Sequence, residues 1–331
     1  MSEPKILENV PLAKYTTLGI GGPARYFVEV LSEKDLKGAI AWAREKGVEY
    51  IVIAGGSNLL VSDEGYEGLV IRIKFSGIEQ QDGAIIVKAG THLQKLVDYT
   101  IEHGLDGLST MVGVPGSVGG AVYGCAGAYG DNIRDYIKEI TYFDGEKVVT
   151  ITRDDYVTGY RDSIFKRNKN WIILKIKFAG LPHTDKEGLE REAVEVLERR
   201  AQKYNSGLKS PGSFFKNIPE DELSLGQLTK VRKLIAEWEH NPDYIKRFGN
   251  TSVVRFGKIP AGNLIDMLGG KGDQIGQIKI NEFHANTFVN LGGGDAKDFI
   301  SLARKWRDKV REEFGLILEP EVQLVGFKED F

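Results

Sequence analysis

One cysteine, Cys125, in a chain of 331 residues excludes an internal disulfide and suits a reducing compartment. The five histidines (His92, His103, His183, His240, His284) fall in no zinc spacing, so no metal site is expected. No run of about 18 apolar residues occurs, which leaves no candidate membrane-spanning helix. The opening MSEPKILENVPLAKYT lacks an apolar signal core, and the expected location is the cytoplasm, with no membrane partner. Excess charge is scarce too: 44 basic against 47 acidic residues give a net of -3. That balance offers no footprint for nucleic acid, and any anionic ligand must be met by local groups. There is no GxxxxGK[ST] phosphate loop, and neither Ser57 nor Ser117 sits in a GxSxG elbow. P-loop and hydrolase chemistry are thereby set aside.

Glycine is what the chain has in quantity, 40 of 331 residues, about 12% against an average near 7%. Seven of the nineteen residues in VGVPGSVGGAVYGCAGAYG (112–130) are glycine, although glycine is costly wherever its freedom is not needed. A GxGxxA match at Gly19, Gly21 and Ala24 is read as accidental, because Pro23 leads into RYFVEV, which alternates like a strand where a dinucleotide turn must open a helix. AGGSNLLV (54–61) follows a short strand. This loop and 112–130 offer two readings. Together they form anion-binding concavities of backbone N–H groups around a diphosphate, with Ser57 and Asn58 as added donors; singly, each is an ordinary tight turn.

The rest of the pattern is mixed α and β. Helices are expected over 32–46, with Ser32 and Asp35 at the start, over 91–104, ending at Gly104, and over the charged stretch 185–204. YIVIA (50–54), EGLVIRIK, AIIVKAG (84–90), YIKEITYFD, KVVTIT and NWIILKIKFAGL read as strands, with a turn at Gly145. From about residue 206 the texture changes to a turn-rich loop, SGLKSPGSFFKN, and two amphipathic helices. No internal repeat is visible.

Nine fragments, taken in order, resemble the UDP-N-acetylenolpyruvoylglucosamine reductases, flavoenzymes of bacterial cell-wall precursor synthesis: YTTLGIGGPARY (15–26), AGGSNLLV (54–61), VGVPGSVGGAV (112–122), AGAYG (126–130), YRDSIFK (160–166), SPGSFFKN (210–217), AGNLID (261–266), HAN (284–286) and LEPEV (318–322). The resemblance runs nearly end to end. It implies an α+β chain: an FAD-binding domain of the vanillyl-alcohol-oxidase (PCMH) type in two lobes, 1–74 and 75–205, then a smaller α+β substrate-binding domain, 206–316, and a C-terminal strand, 317–331, returning toward the active site. It implies non-covalent FAD, NADPH as hydride donor, a nucleotide-sugar substrate and a monomer. The activity implied is reduction of UDP-N-acetylglucosamine enolpyruvate to UDP-N-acetylmuramate.

Residue by residue, the resemblance assigns Gly55, Gly56, Ser57, Asn58 and Leu59, with Pro115, Gly116, Ser117, Gly119 and Gly120, to FAD. A β-carbon at Gly119 or Gly120 is expected to enter space needed by the cofactor or an adjacent strand. Arg161 matches the carboxylate-binding arginine, whose planar fork suits that anion; its alternative is a salt bridge, such as with Asp162. Ser213 matches the proton donor to C2, and read alone it is a turn serine. Glu321 matches the carboxyl group that shares a hydrogen bond with the developing dianion. Glu319 lies two residues away, and only the resemblance separates the two. Lys216 and Asn217 are assigned to the UDP diphosphate, and Phe214 and Phe215 to packing of the loop. Cys125 stands where the family commonly has Asn, and a small buried thiol is the structural reading. About forty residues between Asn217 and Pro260 are absent from shorter members. One subtype closes a tyrosine-bearing loop over the diphosphate; neither Tyr204 nor Tyr244 is assigned that duty. A flavin oxidase of the same fold is the nearest rival, although loops 54–61 and 112–130 hold no histidine to tether a flavin. A catalytically silent nucleotide-sugar binding module is the rival of another class.

Overall fold

Ser32 Oγ accepts a hydrogen bond from the Asp35 amide at 3.1 Å, and Gly47 turns left-handed at φ 64°. The first helix therefore starts and stops on its own capping residues. The computed structural model describes residues 4–202, 207–242, 245, 252–254, 256–329 and 331. It divides into two units: Met1–Tyr15, Gly22–Ser57 and Glu64–Gln202 form the first, and Thr16–Gly21, Asn58–Asp63 and Lys203–Phe331 the second.

The first unit begins with β1 (Leu7–Pro11), β2 (Pro23–Val30), α1 (Glu33–Lys46) and β3 (Tyr50–Ile53). The next strand, β4 (Leu59–Val61), belongs to the second unit. β5 (Tyr66–Ile73) completes a four-stranded sheet of order β1-β2-β5-β3. β2 and β3 both run parallel to β5, and β1 is antiparallel to β2. Parallel strands covered on both faces need continuous apolar runs, and Leu69, Val70 and Ile71 of β5 are all fully buried. Pro23 opens a strand, so Gly19, Gly21 and Ala24 make no dinucleotide turn.

There follow β6 (Ile78–Gln81), β7 (Ala84–Lys88), α2 (Leu93–Glu102), α3 (Val118–Tyr123), β8 (Ile137–Phe143), β9 (Val148–Thr152), β10 (Ile172–Phe178) and α4 (Lys186–Ala201). The five strands make an antiparallel sheet of order β9-β8-β10-β7-β6. Gly145 makes the β8–β9 turn at φ 102° and Gly104 ends the α2 region at φ 62°. The charged helix α4 buries one stripe, Leu189, Ala193 and Val196, the pattern of a helix lying on a core.

The second unit contains α5 (Leu225–Glu239), α6 (Ala261–Met267), β11 (Gln274–Ile275), β12 (Ile278–Ile280), β13 (Phe288–Asn290), α7 (Ala296–Phe314) and β14 (Gln323–Val325). β11, β12 and β13 form a small antiparallel sheet, and β14 pairs in parallel with β4. On α7, Phe299, Leu302, Ala303, Trp306, Val310 and Phe314 recur at helical intervals and are buried; burial of side chains this size contributes roughly 1.5–3 kcal/mol each. The segment that carries β4 is fastened to this helix as well: the Asp63 carboxylate accepts from the amides of Ala296 at 2.8 Å and Lys297 at 3.0 Å, the end of a helix where negative charge is stabilising. Leu18, Ile20 and Leu60 pack into the same core as Phe214, Phe215, Phe288 and Phe299.

Candidate active site

In the first unit, β3 runs straight into Gly55 and Gly56. A β-carbon on Gly55 would lie 2.9 Å from the Gly116 Cα, and one on Gly116 would lie 2.6 Å from Ser57 Oγ. Gly116 also has φ 117°, a conformation that favours glycine. Ser57 Oγ donates to the Pro115 carbonyl at 3.1 Å, so two loops about sixty residues apart in sequence meet backbone to backbone. Ser117 caps α3 by accepting from the Gly120 amide at 3.1 Å. Among the described residues, no hydrogen bond ends on the N–H groups of Gly56, Ser57, Gly116 or Ser117. Backbone donors left open in adjoining turns form a cradle for anionic oxygens, and the glycine pair lets the two turns come close enough to present them together. The chemistry of a dinucleotide diphosphate fits these residues. Gly119 differs: its amide donates to the Ala89 carbonyl at 2.8 Å, and a β-carbon there would lie 2.8 Å from Ala89 Cβ. Its missing side chain lets α3 approach the end of β7. A β-carbon on Gly120 would meet Ser117 Oγ at 3.3 Å.

Arg161 lies in the same unit, at φ 53°. Its Nη1 donates to the Cys125 carbonyl at 2.5 Å and its Nη2 to the Gly127 carbonyl at 2.8 Å, so the guanidinium plane is fixed by two carbonyls of the glycine-rich stretch. Asp162 accepts from Thr158 Oγ1 at 2.6 Å and from Arg167 Nη2 at 2.8 Å. Burial pushes the Asp162 carboxyl up, but the Thr158 hydroxyl and the Arg167 guanidinium together outweigh it and bring it below the usual value.

Cys125 is 1% exposed and sits at φ 48°, a left-handed position that Asn accepts more readily than most residues. Its thiol donates to the Asp162 carbonyl at 3.0 Å and lies 3.4 Å from Tyr156 Oη. A polar contact is therefore made here by sulfur. Burial pushes the Cys125 thiol above its usual 9.0, against smaller opposing effects from Tyr156 and nearby cations. The native protein is expected to resist iodoacetamide at pH 8 and to react once unfolded, as mass spectrometry of the alkylated chain would read. Because the folded state holds this proton more tightly, the thiol's contribution to stability is full below pH about 9 and is lost as the pH rises through the folded value. Rapid alkylation of the native state would contradict this.

In the second unit, the turn of SPGSFFKN is made by Ser210, whose Oγ accepts from the Gly212 amide at 3.1 Å. Ser213 takes no part in it, and among the described residues its hydroxyl makes no hydrogen bond. Phe214 and Phe215 are 0% and 1% exposed and meet edge to face at 4.8 Å, anchoring the loop. Lys216 Nζ lies 3.2 Å from Glu319 Oε2. Asn217 Oδ1 accepts from the Ala261 amide at 3.2 Å, at the start of α6. The Glu321 amide donates to the Phe214 carbonyl at 2.7 Å, and the Lys216 amide to the Glu319 carbonyl at 2.9 Å. Ser213 and Glu321 thus stand on neighbouring, hydrogen-bonded segments. Glu319 is exposed, and Glu321 is half-buried. Asn58 Nδ2 donates to the Glu321 carbonyl at 3.2 Å, the Gln323 amide donates to the Asn58 carbonyl at 3.0 Å, and Leu59 pairs with Gln323.

The structure therefore brings Gly55, Gly56 and Ser57 together with Pro115, Gly116 and Ser117, and it brings Ser213, Lys216, Asn58 and Glu321 together within the other unit. The fastening of Glu321 by Asn58 was not legible in AGGSNLLV. HAN, quoted above without a role, turns out to support the Ser213 segment. Tyr204 and Tyr244 lie outside the described residues.

The FAD binding domain family matches residues 24–151, and the family described as UDP-N-acetylenolpyruvoylglucosamine reductase, C-terminal domain, matches residues 202–325. The UDP-N-acetylenolpyruvoylglucosamine reductase of Solibacter usitatus (strain Ellin6076) is 37% identical over 318 residues, 96% of this chain and 96% of that protein. That of Geotalea uraniireducens (strain Rf4) is 36% identical, over 96% of this chain and 93% of its own. Among solved structures, UDP-N-acetylenolpyruvylglucosamine reductase from Thermus caldophilus superposes with a TM-score of 0.70 at 30% identity, covering 97% of this chain and 98% of that one.

Proposed function

We infer the duties of individual side chains from the premise that the chain belongs to the UDP-N-acetylenolpyruvoylglucosamine reductase family. It is an α+β flavoenzyme with an FAD-binding domain of the vanillyl-alcohol-oxidase type, and it reduces UDP-N-acetylglucosamine enolpyruvate to UDP-N-acetylmuramate with NADPH, in peptidoglycan precursor synthesis. FAD held by the glycine loops would supply hydride transfer from NADPH to C3 of the enolpyruvyl group. Gly56, Ser57, Gly116 and Ser117 would hold its diphosphate through their open N–H groups, while Gly55 and Pro115 keep the two loops in contact, Gly55 by its missing β-carbon and Pro115 by its carbonyl. Gly119 and Gly120 serve this cradle by setting α3 against β7 and behind its cap. Asn58 and Leu59, assigned to FAD on the resemblance, use their side-chain amide and strand pairing to hold the C-terminal segment.

Arg161 grips the substrate carboxylate, which gains charge as hydride reaches C3. Glu321 shares a hydrogen bond with the same developing charge; fixed groups aimed at such charge are commonly the largest catalytic contribution. Ser213 gives its hydroxyl proton to C2: the O–H bond breaks, the C–H bond forms, and the serine regains a proton from solvent. Lys216 and Asn217 hold the UDP diphosphate. The observation that carries these roles is the hydrogen-bonded pairing of the Ser213 and Glu321 segments, with the Ser213 hydroxyl uncommitted.

The lobes 1–74 and 75–205, the substrate-binding domain 206–316 and the returning strand 317–331 form the proposed domain plan. The cytoplasm is proposed as the compartment, supported by a nucleotide-sugar substrate and an NADPH reductant, and the monomer as the working state. Anaerobic NADPH is expected to bleach the purified yellow protein, and UDP-N-acetylglucosamine enolpyruvate to restore the colour faster than oxygen. Faster recovery with oxygen would favour the oxidase, and a protein unable to take up flavin would favour the binding module.

A further inference from the structure

We propose that Asn286 is the residue that positions Ser213 for proton delivery, by clamping the chain beside it at three points. The Ser213 segment belongs to no regular sheet. It touches its neighbours through isolated bridges, Ser213 with Thr287 and Phe215 with Pro320. A main chain held this sparsely would let a loop serine wander. Asn286 makes up the deficit: its main-chain carbonyl accepts from the Phe214 amide at 2.8 Å, its Oδ1 accepts from the Phe215 amide at 2.8 Å, and its Nδ2 donates to the Phe215 carbonyl at 2.8 Å. The carboxamide thus stands in for one residue of a β-ladder, offering an acceptor and a donor side by side. Asn286 is 2% exposed, so water cannot replace it, and buried backbone groups left unpaired are costly. On the opposite edge the Glu321 amide binds the Phe214 carbonyl at 2.7 Å. Residues 214 and 215 are thereby pinned from both sides, and Ser213, the residue immediately before them, inherits their position.

Proton transfer to carbon depends steeply on placement, and a misplacement of about 1 Å can cost about a hundredfold. The proposal rests on Ser213 being the proton donor. Asn286→Ala removes both side-chain prongs, and Asn286→Asp keeps the acceptor toward the Phe215 amide while opposing an acceptor to the Phe215 carbonyl. In both variants reoxidation of the bleached flavin by the enolpyruvyl substrate is expected to slow by about a hundredfold, with KM and the NADPH half-reaction held. Its solvent deuterium isotope effect is expected to rise as proton delivery becomes slower. In the flavin-free protein, hydrogen exchange at the Phe214 and Phe215 amides is expected to accelerate. A purely packing role would weaken both half-reactions alike and leave the isotope effect unmoved. That result, or wild-type reoxidation in a folded variant, would overturn the proposal. If Asn286→Ala fails to fold, the same readouts on Asn286→Asp decide. Ser213→Ala serves as the control: normal reoxidation there would sink the donor assignment itself, whereas slow reoxidation in Ser213→Ala beside normal reoxidation in the Asn286 variants would sink only the clamp.

Discussion

Ser213→Ala is expected to leave NADPH bleaching the flavin at the wild-type rate, while reoxidation by the enolpyruvyl substrate slows by about a hundred- to ten-thousand-fold. The expectation follows from where the hydroxyl stands. Ser210 supplies the turn hydrogen bond that a serine between Gly and Phe would otherwise make, and the main chain after Ser213 is held by Asn286 and Glu321. The substitution removes one oxygen and breaks no hydrogen bond among the described residues, so a lost half-reaction would report chemistry and not collapse. A serine is a weak acid, but a carbon carrying carbanion-like charge is basic enough to take its proton when the geometry is right. Stopped-flow absorbance separates the two half-reactions. Reoxidation at the wild-type rate would remove Ser213 from catalysis.

The sequence carried the frame of the fold because its signals there are local. Ser32 and Gly47 bound α1, Gly145 makes the β8–β9 turn, and the apolar spacing of α7 marks its buried face. The glycine-rich loops were legible as a place where backbone must come close to something, but not as to what. Gly55 and Gly116 let their two loops touch, whereas Gly119 makes room for Ala89, and a one-letter string cannot tell which distant piece of chain a missing side chain admits. Long-range fastening was hidden for a related reason. Asn58 with Glu321, Asp63 with the first amides of α7, and Asn286 with Phe215 join residues far apart in the chain through single polar groups that have no period. The pair Glu319 and Glu321 shows the same limit. Spacing puts both on one strand face, yet Glu319 is exposed beside Lys216 and Glu321 is half-buried, because the chain bends at Val322 and the regular strand begins only at Gln323.

Arg161→Lys is expected to slow substrate reduction by about a hundred- to a thousand-fold, the usual effect of losing a donor aimed at developing negative charge, while flavin retention stays near wild type. The charge is conserved, so any loss must come from shape. Arginine presents a planar fork whose Nη1 and Nη2 reach two carbonyls at once, those of Cys125 and Gly127; a lysine amine is a point charge that cannot span both while holding a carboxylate in a fixed plane. Lysine at φ 53° carries the same backbone cost as arginine, so strain does not confound the comparison. The cradle formed by Gly55 and Gly116 shares no hydrogen bond with Arg161 among those described, which is why colour should survive. The check is a parallel measurement of bound flavin by absorbance, of the NADPH half-reaction and of reoxidation by the enolpyruvyl substrate. Flavin lost on purification would assign Arg161 to holding the glycine-rich stretch around Cys125 and Gly127. Retained flavin with slow reoxidation alone would assign it to the substrate carboxylate.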